Sequence, residues 1–374
     1  MGRDRAQGET NPLLRLVGLG QSLWYDYITR DLLTSGELTK LIRNDGLRGM
    51  TSNPSIFEKA IAGSRLYDDD IRRMSEAGRR AAAIFEALAV ADVRSACDAF
   101  RPLYDRTGGR DGFVSLEVSP GLAHDTPGTI QEADRLWRAV DRPNAMIKIP
   151  GTHSGLAAIT ESIASGINVN VTLLFSVERY SEVIEAFLQG LERRHQRGQP
   201  VDGIGSVASF FVSRVDGKID PLLNRESDRS LRGTAAIANA AEAYCLFRES
   251  LQTDRWARLA KAGAAPQRPL WASTSTKDPA YPDVYYVEAL VAPDTVNTVP
   301  PETLAAFRDH GSPGVRIDDA VANAPAQLAA LKAAGIDLAA VTRELEDEGV
   351  AKFAASYAAV LSGIEAKAGT LATR

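Results

Sequence analysis

The sequence predicts an α/β fold, a (β/α)8 TIM barrel of parallel strands wrapped by helices, with additional outer and C-terminal helices. Three observations lead there. Short segments rich in Val, Ile and Phe alternate with longer segments of helical period, and that alternation calls for a parallel sheet. Eight such strand segments occur in 374 residues, a number and length that favour closure over an open doubly wound sheet. No Pro/Ser-rich linker and no internal repeat divides the chain. Residues 1–374 are therefore expected to form a single domain, with 1–12 as a flexible tail and about 300–374 as a helical extension packed on the barrel.

Strands are expected at 23–28 (LWYDYI), 47–51 (LRGMT), 112–118 (GFVSLEV), 145–150 (AMIKIP), 166–175 (GINVNVTLLF), 203–211 (GIGSVASFF), 269–273 (PLWAS) and 295–299 (TVNTV). The helical run 68–100 is too long for one unit and predicts two or more helices outside the barrel. A helix over 176–196 should start on Ser176, with Glu178 and Glu182 in its early turns and basic residues at its end before Gly198, the order that the helix dipole favours. Beyond 300 the chain is Ala-rich and amphipathic, as outer and capping helices are.

Composition narrows the chemistry. The 43 Lys+Arg against 48 Asp+Glu give a net charge of −5, and 44% of residues are hydrophobic, as in a soluble globular protein. No apolar run approaches the roughly 18–20 residues of a membrane span, and the N-terminus lacks the apolar stretch of a signal peptide. A cytoplasmic protein without a membrane partner is expected. Gly2 opens an M-G start, but Ala6 stands where a myristoylation signal wants Ser or Thr. Cys97 and Cys245 form no CxxC, and His124, His153, His195 and His310 lie far apart, so neither a disulfide framework nor a metal centre is expected. The glycine clusters at 18–20 and 108–112 lack the strand-turn-helix spacing of a dinucleotide site, so no cofactor is predicted. Mixed charge with no basic stripe argues against nucleic acid. Monomer and homodimer both stay open, since no face reads as an interface.

Lys148 is the informative residue. It sits between Ile147 and Ile149 near the end of a short apolar strand, and period-two alternation places it on one face with Met146 and Pro150. Both faces of a barrel strand are dry. Desolvation favours the neutral amine, the form that attacks a carbonyl; the plain alternative is a strand-terminal lysine that snorkels into solvent. Other strands carry polar residues at similar places. Asp26 interrupts the first and Glu117 the third, Asn168, Asn170 and Thr172 share one face of the fifth, Thr51 and Asn53 follow the second, and Ser209 the sixth. Unpaired burial of such groups costs on the order of a few kcal/mol each. Their clustering at strand ends is where barrel active sites lie, although each alone also reads as a cap, a surface carboxylate or a core hydrogen bond.

Two segments, GMTSNPSIF (49–57) and MIKIPGTHSGL (146–156), closely resemble the signatures of transaldolases, and NVNVTLLFS (168–176) is similar to a third. The resemblance covers about 20 to 300 and is to the longer bacterial form. It implies transfer of a dihydroxyacetone unit from sedoheptulose 7-phosphate to glyceraldehyde 3-phosphate, giving erythrose 4-phosphate and fructose 6-phosphate. It further implies Lys148 as the Schiff-base lysine, Glu117 acting through a water held by Thr172, and Asp26 taking the C4 hydroxyl proton. Thr51, Asn53 and Asn170 would hold hydroxyls of the three-carbon fragment, with Ser209 near the Schiff base. Arg214 matches the family's phosphate arginine. A second arginine that follows the seventh-strand serine in shorter relatives is missing here, and Ser273 and Lys277 are expected to replace it, trading a bidentate fork for a point charge.

The bottom-up chemistry agrees. Breaking a carbon–carbon bond beside a ketone needs an electron sink, and a protonated imine supplies one. The proton steps call for two carboxylates in different environments. The related fructose 6-phosphate aldolases carry Gln and Tyr where this chain has Glu117 and Phe211, a contrast that favours group transfer. A simple aldolase releasing dihydroxyacetone and a non-catalytic sugar-phosphate-binding barrel are the alternatives.

Overall fold

Strands of three to six residues, β1 (Gln21–Asp26), β2 (Gly49–Thr51), β3 (Phe113–Glu117), β4 (Ala145–Pro150), β5 (Val169–Leu174), β6 (Ser206–Phe211), β7 (Arg268–Ala272) and β8 (Thr295–Val299), pair in sequence order. In the computed structural model, which describes residues 11–223 and 225–372, β8 returns to pair with β1 and closes a parallel barrel. The (β/α)8 architecture is as predicted. β1 starts two residues earlier than 23–28, because Gln21 and Ser22, polar and therefore unremarkable in a hydrophobicity pattern, spend their side chains on buried hydrogen bonds. Gln21 donates to the Leu290 carbonyl at 2.8 Å, and Ser22 Oγ donates to Asp111 at 2.6 Å.

The helices follow in order: α1 (Pro12–Gly18), α2 (Arg30–Thr34), α3 (Glu37–Asn44), α4 (Pro54–Ala62), α5 (Asp68–Glu76), α6 (Ala81–Arg106), α7 (Thr126–Val140), α8 (His153–Ala164), α9 (Val177–Gln196), α10 (Ser213–Ile219), α11 (Ala235–Ser250), α12 (Asp254–Lys261), α13 (Tyr285–Ala289), α14 (Pro301–His310), α15 (Ile317–Ala333) and α16 (Leu338–Ala372). The long run 68–100 is indeed two helices, parted where Gly78 takes a left-handed φ of 74°. α9 starts as expected, with Ser176 Oγ accepting the Arg179 amide at 3.1 Å. Of the expected tail, residues 1–10 lie outside the described part. Asn11 is not loose: its side chain accepts the Leu13 amide at 3.0 Å to cap α1, and Pro12 opens that helix.

Alternation sets what fills the barrel. Ser22, Trp24 and Asp26 share the inner face of β1, and Phe113 and Glu117 that of β3. At the bottom, buried Arg268 of β7 ion-pairs with Asp111 at 3.2 Å and donates to Ser22 at 2.7 Å. In the middle, Trp24 and Phe113 pack with ring centroids 6.4 Å apart. Trp24 lies opposite Gly49 of β2, where a Cβ would come within 2.5 Å of the indole. Only glycine leaves room for it.

The C-terminal helices pack on this ring. α16, 35 residues long, lies against α4, α5 and α6 on one side and α10 on the other. Ser356 pairs with Ser55 at 2.7 Å, Lys367 with Asp68 at 2.8 Å, and Glu344 and Glu348 both hold Lys218 at 2.7 Å. No single helix among the described residues is long and apolar enough to cross a membrane.

Candidate active site

Lys148 does not snorkel. The inner face of β4 carries its side chain into the upper barrel, where it is 5% exposed and its Nζ lies 3.5 Å from Oε2 of Glu117 on β3. Nζ also donates to the Ser52 carbonyl at 3.3 Å and sits 5.6 Å from the centre of the Phe353 ring. Glu117 is paired with Lys148 by the parallel register itself. Burial pushes its pKa up to about 7, against the pull of the lysine charge. Asp26, at the end of β1, is half-buried; desolvation raises its pKa, opposed by Lys148 and by the Thr51 hydroxyl that donates to it at 2.6 Å.

Eight of the eleven residues expected to act in catalysis or substrate binding line one cavity of ≈ 180 Å³: Asp26, Thr51, Asn53, Lys148, Ser209, Arg214, Ser273 and Lys277, with Phe211 beside them. Glu117, Asn170 and Thr172 stand just behind it. Asn170 donates to Ser115 Oγ at 2.9 Å and accepts from Ser209 Oγ at 2.7 Å, which ties β3, β5 and β6 into one hydrogen-bonded layer under the cavity. Thr172 Oγ1 is buried without a hydrogen-bond partner, and Glu117 Oε2 has only its 3.5 Å ion pair with Lys148. Such orphaned atoms are costly unless something bonds them. Asn53 uses its Oδ1 to cap α4 through the Ile56 amide at 3.0 Å. Thr51 ends β2 and Ser209 lies inside β6 rather than beyond it.

Asn168 belongs elsewhere. It shares a strand face with Asn170 and Thr172 in sequence, but it sits just before β5, where its Nδ2 donates to the carbonyls of Pro143 at 2.8 Å and Ala145 at 2.9 Å and its Oδ1 accepts the Gly205 amide at 2.8 Å. It stitches the strand starts together. At the other end, Leu173 has a left-handed φ of 62° where the β5–β6 register shifts, a bulge that bends the chain directly after Thr172.

The remaining wall is cationic. Arg214, in the first turn of α10, lays its guanidinium 4.9 Å over Phe211, which packs against Phe175 at 5.1 Å. Burial holds its pKa below the usual guanidinium value, opposed by Asp26 and Glu348. Ser273, with φ 56°, shares a 3.0 Å hydrogen bond with Ser213, and Lys277 Nζ donates to Ser275 at 2.8 Å. Sequence reasoning missed Thr298, Glu302 and Phe353, which also line the cavity. Thr298 bonds Thr51 Oγ1 at 2.7 Å and carried a faint signal as a polar residue in the eighth strand. Phe353 carried none, because an apolar residue on an amphipathic helix reads as packing.

This site sits within a sequence-wide likeness. The Transaldolase/Fructose-6-phosphate aldolase family matches residues 23–364, the barrel and most of α16 alike. A transaldolase of Parafrankia sp. is 49% identical over 97% of this chain and 100% of its own length. That of Acidothermus cellulolyticus is 51% identical over 95% of this chain and 96% of its own, and transaldolase 1 of Streptomyces avermitilis is 50% identical over 94% of each. The chain therefore belongs to the transaldolase/fructose-6-phosphate aldolase family.

Proposed function

We propose that this enzyme transfers a dihydroxyacetone unit from sedoheptulose 7-phosphate to glyceraldehyde 3-phosphate, yielding erythrose 4-phosphate and fructose 6-phosphate, in the cytoplasmic non-oxidative pentose phosphate pathway. The observation that carries the reading is the desolvated Lys148–Glu117 pair opening onto a cavity that also holds Asp26 and Arg214.

Lys148 attacks the C2 carbonyl of the ketose, and its nitrogen loses protons as the carbinolamine forms. Glu117, with a pKa near neutrality, returns a proton to the departing hydroxyl through a water bonded by Thr172, and water leaves to give the protonated imine. Asp26 then takes the proton of the C4 hydroxyl. The C4 oxygen forms the aldehyde carbonyl, the C3–C4 bond breaks, and its electron pair flows into the iminium to leave an enamine on Lys148. The acceptor aldehyde reverses these steps, and water regenerates the lysine. Thr51, Asn53, Asn170 and Ser209 orient the hydroxyls of the bound fragment. Arg214, Ser273 and Lys277 receive the phosphate. Phe211 and Phe353 keep water from the enamine, which supports transfer over release of free dihydroxyacetone.

Borohydride reduction in the presence of fructose 6-phosphate, followed by peptide mass analysis, tests the reading. One dihydroxyacetone- or hexose-derived adduct on Lys148 is expected. Its absence sinks the Schiff-base mechanism, and cleavage that proceeds equally without an acceptor aldehyde would assign a simple aldolase instead.

A further inference from the structure

Many of the described lysines and arginines have carboxylate partners; Arg255, for example, holds Glu192 at 2.7 Å. One side of the cavity departs from that pattern. Among the described residues, Arg214 and Lys277, which line it, and Lys352, which is exposed and outside the lining itself, have no carboxylate within 4.0 Å. They come from three elements: the start of α10, the turn after β7, and α16.

The third of these is placed by the helix that carries it. Gly349 faces Arg214, whose Nη1 would lie 3.7 Å from a Cβ there, an ordinary contact distance, and Phe353 lines the cavity beside Lys148. Lys352 stands one turn beyond Gly349, on the neighbouring side of the helix, immediately before Phe353. Its charge meets like charge: Arg214 first, then burial, then Lys277 and Lys59 depress its pKa. The nearby acid of the same helix gives little relief, since Glu348 is drawn to Lys218 at 2.7 Å. Asp26 and Glu302 also line the cavity, but positive charge gathered at one edge without an ion-pair partner favours an anion of more than one charge.

We propose that Lys352 is a third cation of the phosphate subsite, so that the C-terminal helix, and not the barrel loops alone, recognises the phosphate of the sugar. This rests on the reading of the cavity as a sugar-phosphate site. It also explains how the chain manages with one guanidinium: Arg214 supplies the planar fork, and two ammonium groups from two other elements supply point charges.

Calorimetric titration of the full-length protein with inorganic phosphate tests the inference without relying on turnover. Lys352→Ala and Lys352→Met are each expected to weaken phosphate binding about tenfold, with Lys352→Arg restoring most of it. In kinetics, the same variants should raise KM for fructose 6-phosphate about tenfold and leave KM for unphosphorylated fructose within about twofold. Phosphate affinity in Lys352→Ala equal to wild type, while Arg214→Ala loses it, overturns the role of Lys352. Phosphate binding that depends on Lys352 in a protein that transfers nothing between sugar phosphates upholds this inference and defeats the reaction proposed above.

Discussion

The Nζ of Lys148 and Oε2 of Glu117 lie 3.5 Å apart with both side chains 5% exposed. Both side chains are withdrawn from bulk solvent, and burial pushes the Glu117 carboxyl up to about 7, where it can hold or give up a proton. Glu117→Gln keeps the shape and removes the acid. Imine formation should slow by about 10²–10⁴, the usual scale of a general acid or base, with inorganic phosphate binding retained. Rapid borohydride quench gives the rate, and an unchanged rate would remove Glu117 from the mechanism.

The pH profile follows from the same burial. A carboxyl raised to about 7 holds its proton below that pH and loses it above. Dehydration of the carbinolamine should therefore slow as pH rises through about 7, a limb that belongs to the coupled pair. Glu117→Gln should lack it. Persistence of the limb in the variant would assign it to another group.

Lys148→Ala should abolish the adduct yet fold, and its stability should carry a distinct pH signature. Glu117 has a folded pKa above its ordinary value of 4.5, so its ionisation opposes folding: the stability it allows is fully present below 4.5 and is lost as pH rises towards 7. In the wild type that loss levels off above about 7. Without Lys148 the pKa rises further, and the decline should continue above 7 at about 1 kcal/mol per pH unit. Urea unfolding at pH 6, 7 and 8 measures it; parallel curves for the two proteins contradict the idea.

Gly49→Ala places a methyl 2.5 Å from the Trp24 indole inside the barrel. Overpacking of that kind costs about 1–3 kcal/mol. Thermal unfolding should show the loss, and a change of less than about 0.5 kcal/mol would mean that the middle layer yields more than its burial suggests.

Phe353→Ala should act on both stability and partitioning. The ring is 4% exposed, and its removal costs about 3 kcal/mol. With the cover over Lys148 gone, water can protonate the enamine. Free dihydroxyacetone released per transfer should rise several-fold, measured with a coupled dehydrogenase and fructose 6-phosphate; an unchanged ratio would show that Phe211 alone keeps the enamine dry.

How much of this was legible in the sequence varies with its physical origin. The strands were readable because apolar segments of period two leave little choice once they alternate with helices, and Lys148 was readable because a charge in such a segment is costly. Asn168 and Asn170 illustrate the limit. They share a face on paper, yet one stitches strand starts and the other underlies the cavity, and only the closure of the ring decides which. Phe353 and Lys352 were beyond reach for a different reason: their contacts depend on where a helix almost two hundred residues downstream of β4 comes to rest, and local pattern holds no information on that.

The resting place of α16 has one more consequence. An unbroken helix of 35 residues, about 50 Å long, is tied near its start to α10 and further along to α4 and α5. A beam fastened at several points does not hinge in its middle. Its principal contacts fall on the side of β2 to β6, while Lys277, Pro300 and Glu302 edge the cavity on the side of β7 and β8. The cover over Lys148 is thus one-sided: a stiff helix bears on the half of the ring towards β2 to β6, and the segments after β7 and β8 form the other edge of the cavity.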